Sequence, residues 1–162
     1  MPRKSFSELT PEEVLMLAID VEGANGTRLR MFADLFSDYA PDAALIFSEI
    51  ADDEELHKSQ LEMAYEKRFG ELSCTVTEED VLDPIETFDI DDAEHTVFDN
   101  LTMRRALETV LASEQQAEDF YRKAMGRAVD SDLGELYRQL AEFEDGHVQW
   151  IESRLDALGE ST

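Results

Sequence analysis

The sequence predicts an all-α fold, a four-helix bundle of two antiparallel helix hairpins joined by one long acidic crossover. Three observations carry this expectation. Good helix formers fill most of the 162 residues, against only seven Gly and four Pro, too few for a β-rich chain with many turns. Four long segments repeat apolar residues at alternating steps of three and four, the spacing of a helix that buries one face. The length suits a single well-packed domain over 1–162 and is short for two.

The first helix is announced by SELTPEEV. Thr10 is placed to cap it, Pro11 suits its first turn, and Glu12 and Glu13 favour the positive end of its dipole. It is expected over about 11–38, ending where Tyr39-Ala40-Pro41 interrupts the pattern. A second helix follows at about 42–69, started by Pro41 or Asp42 and stopped by Gly70 as a left-handed cap. The short link makes these two an antiparallel hairpin. From 70 to 101 the character changes: no Lys or Arg lies between Arg68 and Arg104, acids are dense, and Pro84 breaks any helical period. This connection reads as a solvated acidic loop with a short helix near 78–82. Helices at about 102–128 and 132–158, linked by VDSDLGE with an Asp or Ser cap, complete a second hairpin. Two hairpins and one long crossover are the connectivity of a ferritin-like four-helix bundle.

Charge narrows the function. Fourteen Lys and Arg against 39 Asp and Glu leave a net charge of −25, which argues against nucleic acid and anionic membrane surfaces and favours divalent cations. Cys74 is the single cysteine, so the chain holds no disulfide and no Cys-x-x-Cys metal site. No run approaches the about 18 apolar residues of a membrane span, and no apolar segment follows the basic N-terminus. A soluble, cytoplasmic protein without membrane insertion is the expectation.

The core-facing seams locate the chemistry. The second helix gives Phe47, Ile50, Glu54, His57, Leu61 and Ala64; the fourth gives Tyr137, Leu140, Glu144, His147 and Ile151. Each carries a Glu-x-x-His pair at consecutive core positions. The first helix gives Leu15, Ala18, Glu22, Asn25, Leu29 and Phe32, and the third Leu107, Val110, Glu114, Ala117, Tyr121 and Ala124, with one central glutamate apiece. Glu22 precedes Glu54 by 32 residues and Glu114 precedes Glu144 by 30, so the halves match as a pseudo-repeat. Charges this deep cost several kcal/mol unless compensated, and apolar rows cannot compensate them. Two metal ions can. Glu22, Glu54, His57, Glu114, Glu144 and His147 match the ligand set of carboxylate-bridged di-iron or di-manganese bundles, with glutamates free to bridge and each histidine terminating one ion.

The neighbours carry weaker signals. Asp20, Asp53, Glu55, Glu118 and Asp145 fall off the seam and read as solvated faces, although Glu118, one turn beyond Glu114, is a possible extra ligand. Tyr121 reads as a core aromatic with a candidate supporting role beside the ligands. Met16, Met31, Met63, Met103 and Met125 read as core filling, and His95 as a surface histidine. Gly26 and Gly146 are candidates for a close helix or ligand approach.

LAIDVEGANG, EIADDEELH, ASEQQAEDFY and LAEFEDGH resemble the four helical motifs of the rubrerythrin family within the ferritin-like superfamily. The stretches FSELTPEEVLMLAI, AYEKRFGE and FYRKAMGRAVD look like the erythrin domain of membrane-bound ferritins, which is joined to a vacuolar-iron-transporter-like membrane domain. The resemblance implies a di-iron centre on the same six residues, reaction with O2 or H2O2, and a homodimer. It also shows departures. Rubrerythrins commonly carry a further ligand glutamate where this chain has Ala117, with Asn25 its counterpart on the first helix, which puts the ligand exchange of peroxidase turnover in doubt unless Glu118 substitutes. This chain contains no rubredoxin-type site for electron entry. Fe(II) itself is then the simplest reductant, and ferroxidase-type iron oxidation the expected activity. An iron-binding module that senses iron, or delivers it to a storage shell or membrane transporter, is the alternative.

Overall fold

The computed structural model describes residues 4–72 and 100–160. Four helices dominate it: α1 (Pro11–Phe36), α2 (Pro41–Phe69), α3 (Asn100–Met125) and α4 (Ser131–Glu160), preceded by one 3-10 turn at Phe6–Glu8. The expected short helix at 78–82, Cys74 and His95 lie outside the described residues.

Local chemistry sets the helix ends. Thr10 and Glu13 form a reciprocal capping box, with Glu13 N–H donating to Thr10 Oγ1 at 3.1 Å and Thr10 N–H to a Glu13 carboxylate oxygen at 3.0 Å. At the other end α1 stops at Phe36, two residues early, where the Ser37 hydroxyl donates to Asp34 O at 2.9 Å and competes with continued helix. Gly70 ends α2 with φ 82°, as a glycine cap should, but its ψ of −149° is not left-handed helical. The third helix ends at Met125 rather than near 128, because Gly126 and Arg127 turn back onto Lys123 O and Ala124 O. Arg127 is then free to bind the N-terminal segment, donating to the carbonyls of Phe6, Ser7 and Leu9.

The hairpins are α1 with α2 and α3 with α4, and both contribute to one interior. Asp130 ties them together. One of its oxygens caps α4 by accepting from Leu133 N–H at 2.8 Å, while the carboxylate receives both arms of Arg68, at the end of α2, at 2.7 and 2.8 Å.

The core is divided along its length. One apolar cluster packs Leu15, Ala18, Leu61, Tyr65, Tyr121, Tyr137 and Leu140 at one end. The other packs Leu29, Phe32, Phe36, Phe47, Ile50, Leu107, Val110 and Ile151. Between them lies a layer of buried polar residues. The seams are as expected, except that Ala64 is only partly buried. Met16 and Met103 are core residues, but Met63 and Met125 are exposed and Met31 is half-buried in a surface cleft, so the methionine expectation is corrected: the helical register turns these three toward solvent.

Candidate metal centre

The polar layer consists of Glu22, Asn25, Glu54, His57, Ser113, Glu114, Glu144 and His147, all buried. Consecutive seam positions bring Glu54 and His57 onto one face of α2, and Glu144 and His147 onto one face of α4. Two overlapping groups result. Glu22, Glu54, His57 and Glu144 each offer a ligand atom within 4.8 Å of the others, and so do Glu54, Glu114, Glu144 and His147. Glu54 and Glu144 belong to both. Glu22 with His57 completes one group, and Glu114 with His147 the other.

The imidazoles turn their Nδ1 atoms inward. His57 Nδ1 is 3.9 Å from both Glu22 and Glu144, and His147 Nδ1 is 3.3 Å from Glu114, 3.6 Å from Glu144 and 3.7 Å from Glu54. Both oxygens of Glu54, Glu22 Oε2, Glu114 Oε1 and both ring nitrogens of His57 have no hydrogen-bond partner. Such groups are expensive to bury unsatisfied, at about 1–3 kcal/mol each.

The protonation pattern shows the same conflict. Burial raises the Glu22 carboxyl to about 7, despite a hydrogen bond from the Tyr121 hydroxyl. Burial, with the charges of Glu144, Glu22 and Glu114, also drives Glu54 well above the carboxylate range. For Glu114 burial pulls upward too, but Glu144 and the His147 imidazole hold it below its ordinary value. Burial, reinforced by charge on His147, lowers His57 to about 4. His147 goes the other way: burial opposes its charge, yet Glu114 and Asp53 lift it to about 9. One protonated imidazole therefore faces four crowded carboxyls. Two divalent cations would match the charge of four carboxylates and supply partners for the orphaned oxygens and nitrogens, so the donor set fits a pair of metal ions.

Two further residues complete the surroundings. Tyr121 donates its hydroxyl to Glu22, which gives it the supporting position that its seam spacing allowed. Asp53 corrects the sequence reading. Its Oδ2 lies 2.9 Å from His147 Nε2, so it does not simply face solvent. The position just before Glu54 lies at the edge of the buried face, beside His57, and the seam does not contain it. Glu118 is the opposite correction. It is outside both groups and pairs with Arg122 at 2.9 Å on its own helix, one turn on, because the step of four from Glu114 carries it off the core face.

Clefts reach the layer from two sides. One of about 560 Å³ is lined by Asp53, Gln139, Glu142, Phe143, His147 and Trp150, with Gly146 in its wall. A Cβ on Gly146 would meet nothing within 4 Å, so that glycine borders open space in this cleft and packing does not require it. At Gly26 a Cβ would make an ordinary 3.6 Å contact with Glu54 Cβ, and close packing does not require that glycine either. The second cleft, of about 550 Å³, leads to Glu22 past Gly23, Arg30 and Lys58.

Fold and site together define a helical-bundle protein of the ferritin-like class, with a buried carboxylate and histidine layer able to hold metal. The rubrerythrin family model matches residues 13–149, and the chain belongs to that family. No curated protein matches it. Two solved structures share the fold. An uncharacterized conserved protein from Magnetospirillum magnetotacticum MS-1 is 21% identical with a TM-score of 0.73, over 92% of this chain and 95% of that one. A hypothetical protein from Pyrococcus furiosus is 19% identical with a TM-score of 0.75, over 99% and 97%. Among the described residues no helix is long and apolar enough to cross a membrane.

Proposed function

We propose that the chain is a non-haem di-iron protein that binds Fe(II) and oxidises it with O2 or H2O2. The observation that carries this reading is the pair of overlapping ligand groups sharing Glu54 and Glu144, whose buried oxygens and nitrogens are unsatisfied within the protein. Membership of a family that typically binds iron favours iron, and the mixed oxygen and nitrogen donors suit iron or manganese over soft metals. A bound iron pair would supply the redox chemistry by which the oxidant is reduced.

The residues have distinct tasks. Glu22, Glu54, His57 and Glu144 would hold one ion, and Glu54, Glu114, Glu144 and His147 the other. Asp53 keeps a proton on His147 Nε2, which leaves Nδ1 as the donor nitrogen. Tyr121 fixes the rotamer of Glu22. Apolar rows above and below exclude bulk water, and the net charge of −25 raises the local concentration of Fe(II).

Stopped-flow absorbance on mixing the Fe(II)-loaded protein with O2 or H2O2 tests the activity. Rapid ferric absorbance and multiple turnovers above the autoxidation control are expected. Stoichiometric iron binding without either would replace the enzyme reading with that of an iron-binding module serving a storage shell or transporter.

A further inference from the structure

The two halves of the layer differ most directly at the histidines in the residue immediately before each Glu-x-x-His glutamate. On α2 that residue is Asp53, and on α4 it is Phe143. Each faces the histidine of the opposite helix. Asp53 Oδ2 is 2.9 Å from His147 Nε2, whereas the Phe143 ring stands 4.9 Å from the His57 ring, centroid to centroid, at 58°. His147 therefore has its outer nitrogen anchored by a carboxylate, and His57 has no hydrogen-bond partner on either nitrogen. We infer that the two metal positions are inequivalent: the one completed by Glu114 and His147 fills first and more tightly, and Asp53 and Phe143 set the difference. This rests on the di-metal reading given above.

The physical cause is the outer partner of each imidazole. A carboxylate hydrogen-bonded to the non-ligating nitrogen fixes tautomer and ring orientation and makes the ligating nitrogen a better donor. Loss of such a partner typically lowers metal affinity about 10- to 100-fold. His57 lacks one, so its position must also fix its own tautomer when a metal binds. Access acts in the same direction. The cleft beside His147 presents Asp53 and Glu142 to an approaching cation, while in the cleft to Glu22 the acids Asp34 and Glu55 are offset by Arg30 and Lys58. The second route therefore attracts a divalent ion less strongly.

Anaerobic titration of the metal-free protein with Mn(II) at pH 8.5, followed by calorimetry and electron paramagnetic resonance, separates the outcomes. The expected result is two steps at least about 10-fold apart, the first equivalent giving a mononuclear six-line spectrum and the second a spin-coupled one. His57→Ala should retain the first step and His147→Ala should lose it. Asp53→Ala should weaken the first step about 10- to 100-fold, Asp53→Asn less, and Phe143→Asp should tighten the second. Phe143 is about half exposed, so that change does not disturb the core, and circular dichroism checks the fold of each variant. Two equal steps with a coupled spectrum from the first addition, or a gap unmoved by Asp53→Ala and Phe143→Asp, would overturn the inference while leaving the di-metal reading intact. No binding at all would instead remove the di-metal reading.

Discussion

Replacing Glu54 with leucine is expected to stabilise the metal-free protein and to abolish its response to metal. Glu54 is fully buried, neither oxygen has a hydrogen-bond partner, and three other carboxyls crowd it. An apolar side chain of similar volume removes that conflict, and such exchanges of buried charge are worth about 1–4 kcal/mol. At about 2 kcal/mol, and about 2–4 °C per kcal/mol for a chain of this size, the metal-free Tm should rise by roughly 4–8 °C. The wild-type protein should gain about 2.7 kcal/mol for each position at a free metal concentration 100-fold above its Kd. Because Glu54 belongs to both ligand groups, leucine should remove both gains. Thermal melts of the two proteins, chelated and with excess Mn(II), measure both signs. A metal-free variant no more stable than wild type, still stabilised by Mn(II), would refute the reasoning.

The metal-free protein should also lose stability as pH rises from about 6.5 to 9. His147 has its folded value raised to about 9, so its stabilising contribution is complete below the unfolded value near 6.5 and is lost as pH climbs through 9. Glu22, raised to about 7, adds a penalty that grows between its model value of 4.5 and about 7. His57, lowered to about 4, acts below this window, where it removes stability as pH falls from 6.5 through 4. Urea denaturation midpoints at half-unit pH steps check the profile, and a midpoint constant from 6.5 to 9 would contradict it. Tyr121→Phe leaves a Glu22 oxygen without its hydroxyl donor, at a cost of about 1–3 kcal/mol when that carboxyl is charged. The loss should therefore be larger at pH 8 than at pH 5, and an equal loss at both would assign Tyr121 to packing alone.

Periodicity made the fold and the six-residue layer legible because each of those residues occupies a position that the apolar stripe would otherwise fill. Glu54 and His57 are conspicuous in a row with Phe47, Ile50 and Leu61 for that reason. The helix ends were less legible, since Ser37 and Arg127 act through hydrogen bonds that no periodic pattern contains. Asp53 and Phe143 escaped for a different reason. Both lie just outside the narrow seam, and what each does depends on the helix across from it, which a single helical pattern cannot supply. Sharing was hidden as well: spacing placed four glutamates in one layer, but only distances show Glu54 and Glu144 to belong to both groups.

The central claim is that this layer holds two iron ions. Anaerobic Fe(II) titration of the metal-free protein, with elemental analysis of the product after desalting, tests it most directly. The account predicts saturation at two iron ions per chain, falling to none in Glu54→Leu. Saturation at one or fewer in the wild-type protein, or unchanged iron in that variant, would contradict it.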